Sequence, residues 1–223
     1  MKQPWTFGVI YGNNPVFLSK IIASIEEQKI PEYEIILIGD SSLTNHIEEK
    51  NNIKKINFNE NILPMWITRK KNIIAHLALY ENISVHHDYV SLAQGWYENF
   101  NEFGYDWDVC MTRIQQLDGT RFRDWVRWDP VEFLDYKDNT QTQNMYVSGS
   151  YFCIKKQFFI NNPLDERLIW GHGEDVEWSK RIRNTWNYKC NWKSKAILCK
   201  HKDPYPLENT DLSKLWYIEE MKQ

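Results

Sequence analysis

The sequence predicts an α/β fold: a single domain with a mixed, mainly parallel sheet flanked by helices. Two observations lead there. A strand–helix–strand unit opens the chain, and such units are nearly always parallel and right-handed. Several later strands then end in polar residues with chemical capacity, at the edge where open α/β sheets hold their ligands.

Trp5 to Tyr11 reads as the first strand. Asn14-Pro15 supplies an N-cap and an N1 proline, and Phe17, Leu18, Ile21, Ile22 and Ile25 follow at helical spacing. Glu34 to Gly39 (EIILIG) is a continuous apolar run, as expected of a strand buried on both faces. Asp40-Ser41-Ser42 follows at its C-terminal end. A short strand fits Lys55 to Phe58, and Thr68 caps a helix with Ile73, Ile74, Leu77 and Tyr80 on its apolar face. Asn82 to His86 is a strand, followed by His87-Asp88 and a helix carrying Trp96, Phe100 and Phe103. Trp107 to Ile114 is another strand. From Gln115 to Asn144 no periodicity appears, and so long a stretch suggests a functional insertion rather than a linker. Met145 to Ile154 alternates as a strand, with a bulge or close approach at Ser148-Gly149-Ser150. Glu174 to Trp186 forms a helix, Lys195 to Lys200 a short strand, and Asp211 to Met221 a last helix.

At 223 residues one domain is expected, in two halves of residues 1–100 and 101–223. The balance of 27 basic against 30 acidic side chains argues against a nucleic-acid partner, which favours a basic excess. No apolar run is long enough to cross a bilayer, so no integral membrane segment is expected. The N-terminal stretch reads as a strand rather than a signal peptide. The four cysteines include no C-x-x-C pair, and reduced thiols in a cytoplasmic protein follow. Aromatic residues make up 15% of the chain, including 11 Trp. Such rings fit either a core or flat, partly apolar ligands such as sugars and bases.

Five groups of residues carry the chemistry. Asp40, after a buried strand, suits a ribose or base edge and equally a turn cap. His86-His87-Asp88 suits a divalent metal, with His86 and Asp88 on one face of the strand and His87 on the other. A polar strand-to-loop turn explains the same residues. Trp170-Gly171-His172-Gly173-Glu174-Asp175 sets two carboxylates at a helix start behind a glycine-rich loop, a form suited to closing on a ligand and offering a base. His201 stands at another strand end. Arg69-Lys70-Lys71-Asn72 puts cations at a helix N-terminus, where a bound phosphate would offset the unfavourable dipole, and a solvated charge run explains the same residues equally.

In this order the residues resemble nucleotide-sugar glycosyltransferases of the GT-A fold, most closely the inverting family 2-like group. The resemblance rests on the strand ending in Tyr11, EIILIGDSS with Asp40, the basic start at Lys71-Asn72, VHHD, WGHGED-V-E-W and the late His201. It covers nearly the whole chain. The WGHGED segment is also similar to the W-G-x-G-E-D loop of galactosyltransferases. The resemblance implies transfer of a sugar from a UDP-sugar donor to a hydroxyl of a carbohydrate acceptor. Tyr11 and Asp40 would hold the uracil or ribose, and Arg69 or Lys71 the ribose or phosphates. His86 replaces the first acid of the D-x-D motif at the donor. Asp88 and His201 would hold Mn²⁺ (or Mg²⁺). Asp175 would be the base, with Glu174 against the acceptor sugar. Acceptor contacts are expected from Trp170, Gly149 and Trp128, with Trp125 beside them. No Q-x-x-R-W motif follows Trp178, which argues against a processive synthase. A metal-dependent nucleotidyltransferase or hydrolase, or a Trp-rich carbohydrate-binding module, are the alternatives.

Overall fold

The computed structural model describes residues 2–12, 14–128 and 131–202. Its main sheet has eight strands in the order β3-β2-β1-β4-β10-β6-β11-β5. These are β1 (Trp5–Ile10), β2 (Tyr33–Gly39), β3 (Ile53–Asn57), β4 (Asn82–His87), β5 (Val90–Leu92), β6 (Val109–Gln115), β10 (Tyr151–Lys155) and β11 (Tyr188–Leu198). Strands β3, β2, β1 and β4 are parallel, as are β6 and β11, while β10 and β5 run against their neighbours. A second sheet of β7 (Val126–Trp128), β8 (Val131–Phe133) and β9 (Met145–Tyr146) is antiparallel.

Five helices accompany the strands: α1 (Leu18–Glu26), α2 (Ile67–Leu77), α3 (Trp96–Phe103), α4 (Lys156–Asn161) and α5 (Glu174–Ile182). Alternation along β1 explains their placement, because successive residues face opposite sides of a sheet. Trp5 and Phe7 point toward α3. Trp5 lies 4.7 Å from the Trp96 ring centroid and 4.9 Å from that of Phe100, with Trp107 at 6.0 Å. Much of the aromatic excess is thus one cluster on this side of the sheet. Gly8 points the other way, against α2. A Cβ on Gly8 would come within 2.4 Å of the Ile74 side chain, so only glycine lets helix and strand approach this closely.

Several predicted elements change in extent. The strand expected over Met145 to Ile154 is broken into β9 and β10 by Ser148-Gly149-Ser150. The short strand at Lys195 is the end of the eleven-residue β11. Helix α5 stops at Ile182, short of Trp186. Thr68 is not the cap of α2. It lies inside the helix and donates to the Leu168 carbonyl at 2.6 Å, while Trp66 occupies the cap position. The stretch 115–144 contains two of the three strands of the second sheet, β7 and β8, too short to give a periodic pattern. The helix expected at Asp211 to Met221 lies outside the described residues.

The parallel register aligns the strand ends. Ile10 pairs with Ile38 on one side and with His87 on the other. Tyr11, Asp40 and Asp88 therefore leave the sheet together at one edge.

Gly8→Ala is expected to destabilise the fold by about 1–3 kcal/mol through overpacking against Ile74. Gly12→Ala, where nothing lies within 4 Å of the added atom, should stay within about 0.5 kcal/mol of the parent. Urea denaturation of both variants measures this difference.

Candidate active site

The strand ends open into a cavity of about 410 Å³. Tyr11, Asp40, Leu43 and Glu60 line one end. The Tyr11 ring rests on the backbone of Gly39, where a Cβ would approach it to 2.6 Å. Asp40 Oδ1 accepts a hydrogen bond from the Ser42 amide at 2.9 Å, and the Ser42 hydroxyl first, then this amide, hold its carboxyl below the usual range. It caps a turn and still faces the cavity, so the two sequence expectations for Asp40 are compatible. Pro64, Met65, Ile67 and Trp170 form the lip, and Trp170 is 50% exposed. His87, Asp88, Tyr89, Lys200 and Lys202 form the other end.

Asp88 is buried and holds three hydrogen bonds. One carboxylate oxygen accepts from the Gly12 and Asn14 amides at 3.0 and 2.8 Å, and the other from Asn14 Nδ2 at 3.0 Å. It therefore pins the loop after β1 to the end of β4. His87 is a neutral base here. Burial first, then the ammonium charges of Lys71, Lys202 and Lys70, push its pKa well down. His86 does not reach the donor cavity, contrary to the expectation that it shares a face with Asp88. Its Nε2 bonds Ser84 Oγ at 2.8 Å, its Nδ1 meets the Val90 carbonyl at 3.1 Å, and Tyr151 stacks edge-on at 5.0 Å. Strand alternation puts His86 with Ser84 in the core. It holds only as far as His87, after which the chain turns and brings Asp88 to the same side as His87.

The basic helix start spreads in several directions, because residues of an α-helix are 100° apart. Arg69 turns outward and forms a two-point ion pair with Glu166, at 3.0 and 2.8 Å, so it is not a cavity residue. Lys70 lines the cavity, donating to the Tyr11 carbonyl at 3.2 Å and pairing with Glu60. Lys71 is wholly buried and reaches past the cavity wall rather than into it. Its ammonium donates to the Gly149 carbonyl at 2.8 Å and lies 3.3 Å from Glu174 Oε1.

Behind His87 lies the carboxylate pair. His87 bonds the Gly149 backbone, and the Gly149 amide donates to Asp175 Oδ2 at 2.9 Å. A Cβ on Gly149 would come within 2.8 Å of Glu174 Oε1 and 2.9 Å of Asp175 Oδ2, so the residue is small by necessity. Burial and the neighbouring Asp175 raise the Glu174 pKa, while Lys71 opposes the rise. Asp175 is less buried than Glu174. Gly173, at φ 68°, leads into α5 and places both carboxylates in its first turn.

Two expected acceptor tryptophans are elsewhere. Lys180 and Arg183 stand over the Trp128 ring, 4.3 and 5.6 Å from its centroid, and Trp128 does not line the cavity. Trp125 is buried against Tyr188 at 5.0 Å. His201 is exposed and does not line the cavity. Its charge acts on Asp118, whose carboxyl Thr120 chiefly holds below the usual range. Past the end of β11, Lys200 and Lys202 line the cavity while His201 between them does not. Lys200 and Lys202, like Glu60 and Lys70, had no local signal that would have identified them.

No family model matches this sequence, and no curated protein is a significant match. Solved structures do match. GalNAc-T7 with UDP, GalNAc and Mn²⁺ superposes with a TM-score of 0.67 at 18% identity, over 91% of this chain and 45% of that one. S. aureus TarS 1–349 in complex with UDP-GlcNAc gives 0.65 at 11% identity, over 94% and 61%. The same protein in complex with UDP gives 0.60 at 12% identity, over 90% and 59%. The chain thus spans roughly half the length of the structures it matches. It has the GT-A glycosyltransferase fold. No helix among the described residues is long and apolar enough to cross a membrane.

The fold raises the question of a divalent cation, and the side chains do not fit one. Among the described residues no three His, Cys, Asp or Glu side chains come together as a metal-holding group. Asp88, the expected ligand, already accepts three N–H bonds. Beside it stand two ammonium groups, which repel a cation.

His86 makes a prediction about acid stability. Burial lowers its pKa from 6.5 to about 4. A depressed imidazole contributes stability above pH 6.5 that is lost as pH falls toward about 4, here about 3 kcal/mol. His86→Gln should show a shallower decline over that window in urea denaturation at stepped pH. An unchanged slope would place the acid sensitivity in another group.

Proposed function

We propose that this chain is a glycosyltransferase that moves a sugar from a UDP-sugar to a hydroxyl of a carbohydrate acceptor, with inversion at the transferred carbon. The carrying observation is the cavity at the ends of β1, β2 and β4 in a GT-A fold, with Asp175, the less buried of the carboxylate pair, adjoining it through Gly149 and His87. The nucleotides in the matching structures of GalNAc-T7 and TarS support a UDP-sugar as donor.

In this reading Tyr11 and Asp40 receive the uridine end, and His87 and Asp88 stand near the diphosphate. Residues 1–100 supply most of the nucleotide contacts, and residues 101–223 the acceptor side. Trp170, exposed at the lip, stacks on a sugar ring. Asp175 is the base. It removes the proton from the acceptor hydroxyl as that oxygen bonds to the sugar carbon. The bond from that carbon to the diphosphate oxygen breaks, and its electron pair leaves with UDP. Glu174, ion-paired to Lys71 and placed by it, aligns the acceptor. Neither Mn²⁺ nor Mg²⁺ enters this scheme, given the donor set at Asp88.

Incubation with a panel of UDP-sugars should release UDP with at least one of them. Asp175→Asn should lower transfer by about 10²–10⁴-fold, the usual worth of a general base, while UDP affinity in calorimetry stays near that of the parent. Normal turnover by Asp175→Asn would remove Asp175 from the mechanism. Release of pyrophosphate from a nucleoside triphosphate, without UDP release from any sugar donor, would favour a nucleotidyltransferase.

A further inference from the structure

The end of the cavity beyond Asp88 holds two ammonium groups that no carboxylate among the described residues meets in an ion pair. Lys200 and Lys202 both line it, on the segment after β11. Lys200 donates to Asn14 Oδ1 at 2.8 Å, and Lys202 approaches the Tyr89 hydroxyl at 3.2 Å. Both ammonium groups stand over the Tyr89 ring, 5.2 and 4.4 Å from its centroid. The third lysine of the cavity, Lys70, is by contrast matched to Glu60.

We propose that Lys200 and Lys202 bind the diphosphate of the donor and stabilise it as it leaves, in place of a divalent cation. The inference rests on the nucleotide-sugar reading of the cavity and assigns that site an ion requirement opposite to the Mn²⁺ in the GalNAc-T7 structure.

Two features agree with it. Both lysines are half-buried, and they converge on one ring, that of Tyr89, at 5.2 and 4.4 Å from its centroid. An anion seated between such like charges relieves their repulsion and gains charge-assisted hydrogen bonds. The Asp88 carboxylate is turned to the loop after β1, and through Asn14 that same loop holds Lys200 in place. An acid that would carry the metal therefore positions the lysine instead.

Calorimetric titration of the full chain with UDP, in EDTA and in Mn²⁺, tests the inference. Equal affinity in the two conditions is expected. Lys200→Gln and Lys202→Gln should each weaken UDP binding by roughly tenfold or more, the usual worth of a hydrogen bond to a charged group. Their binding of uridine, which lacks phosphate, should not change. Lys202→Arg should restore most of the loss, and Lys193→Gln, a surface lysine paired with Glu102, should bind like the parent. Thermal melts confirm that each variant is folded. UDP binding only with Mn²⁺, or lysine variants that bind UDP as well as the parent does, would overturn this inference and leave the nucleotide reading standing. No UDP binding in either condition would overturn both.

Discussion

The buried ammonium of Lys71 is the constraint on which the rest of the site depends. A charge removed from water must be met by partners, and breaking a buried pair costs about 3–5 kcal/mol. Its partners come from two separate parts of the chain: the Gly149 carbonyl between β9 and β10, and Glu174 at the start of α5. Lys71 itself belongs to α2. One interaction thereby fixes a helix from the first half of the chain against a link and a helix from the second. Gly149 extends the arrangement, since its amide holds Asp175 while its carbonyl serves Lys71. The carboxylate pair is oriented by this network rather than by α5 alone.

Asp88 has a comparable role on the cavity side. Its three N–H bonds hold the loop after β1 against the end of β4, and Asn14 passes the constraint on to Lys200. Strands that are remote in sequence thus deliver their ends to one place with little freedom left. Sites held this way lose less entropy when a ligand binds. The two networks meet at His87, which lines the cavity and bonds Gly149.

The aromatic excess divides along the same lines. Trp5, Trp96 and Trp107 share one face of the sheet with Phe100, and their rings fill the layer beneath α3. Trp178 packs with Phe152 and Phe159 under α4 and α5. Of the tryptophans expected to meet a sugar, Trp170 alone is both exposed and at the cavity. Ring count in the sequence could not separate these fates, because burial of a tryptophan depends on which element covers it.

The strands and helices from β1 to β4, and the polar residues at the ends of β1, β2 and β4, were determined by the sequence alone, whereas β5, the second sheet and α4 were not. Apolar runs and helical spacing are local properties, and strand ends follow from where the runs stop. Which member of each polar cluster reaches the cavity was decided only by the tertiary structure. In Arg69-Lys70-Lys71 the helical turn of 100° sends one cation outward, one to the cavity and one into the core. In His86-His87-Asp88 the pleat buries the first and the end of the strand unites the other two. In Lys200-His201-Lys202 the lysines rather than the histidine line the cavity, and they set the kind of charge that a donor would meet. A rotation of one residue changes the chemistry of such a wall, and that rotation is set by packing against elements as distant as Glu174 and Leu168.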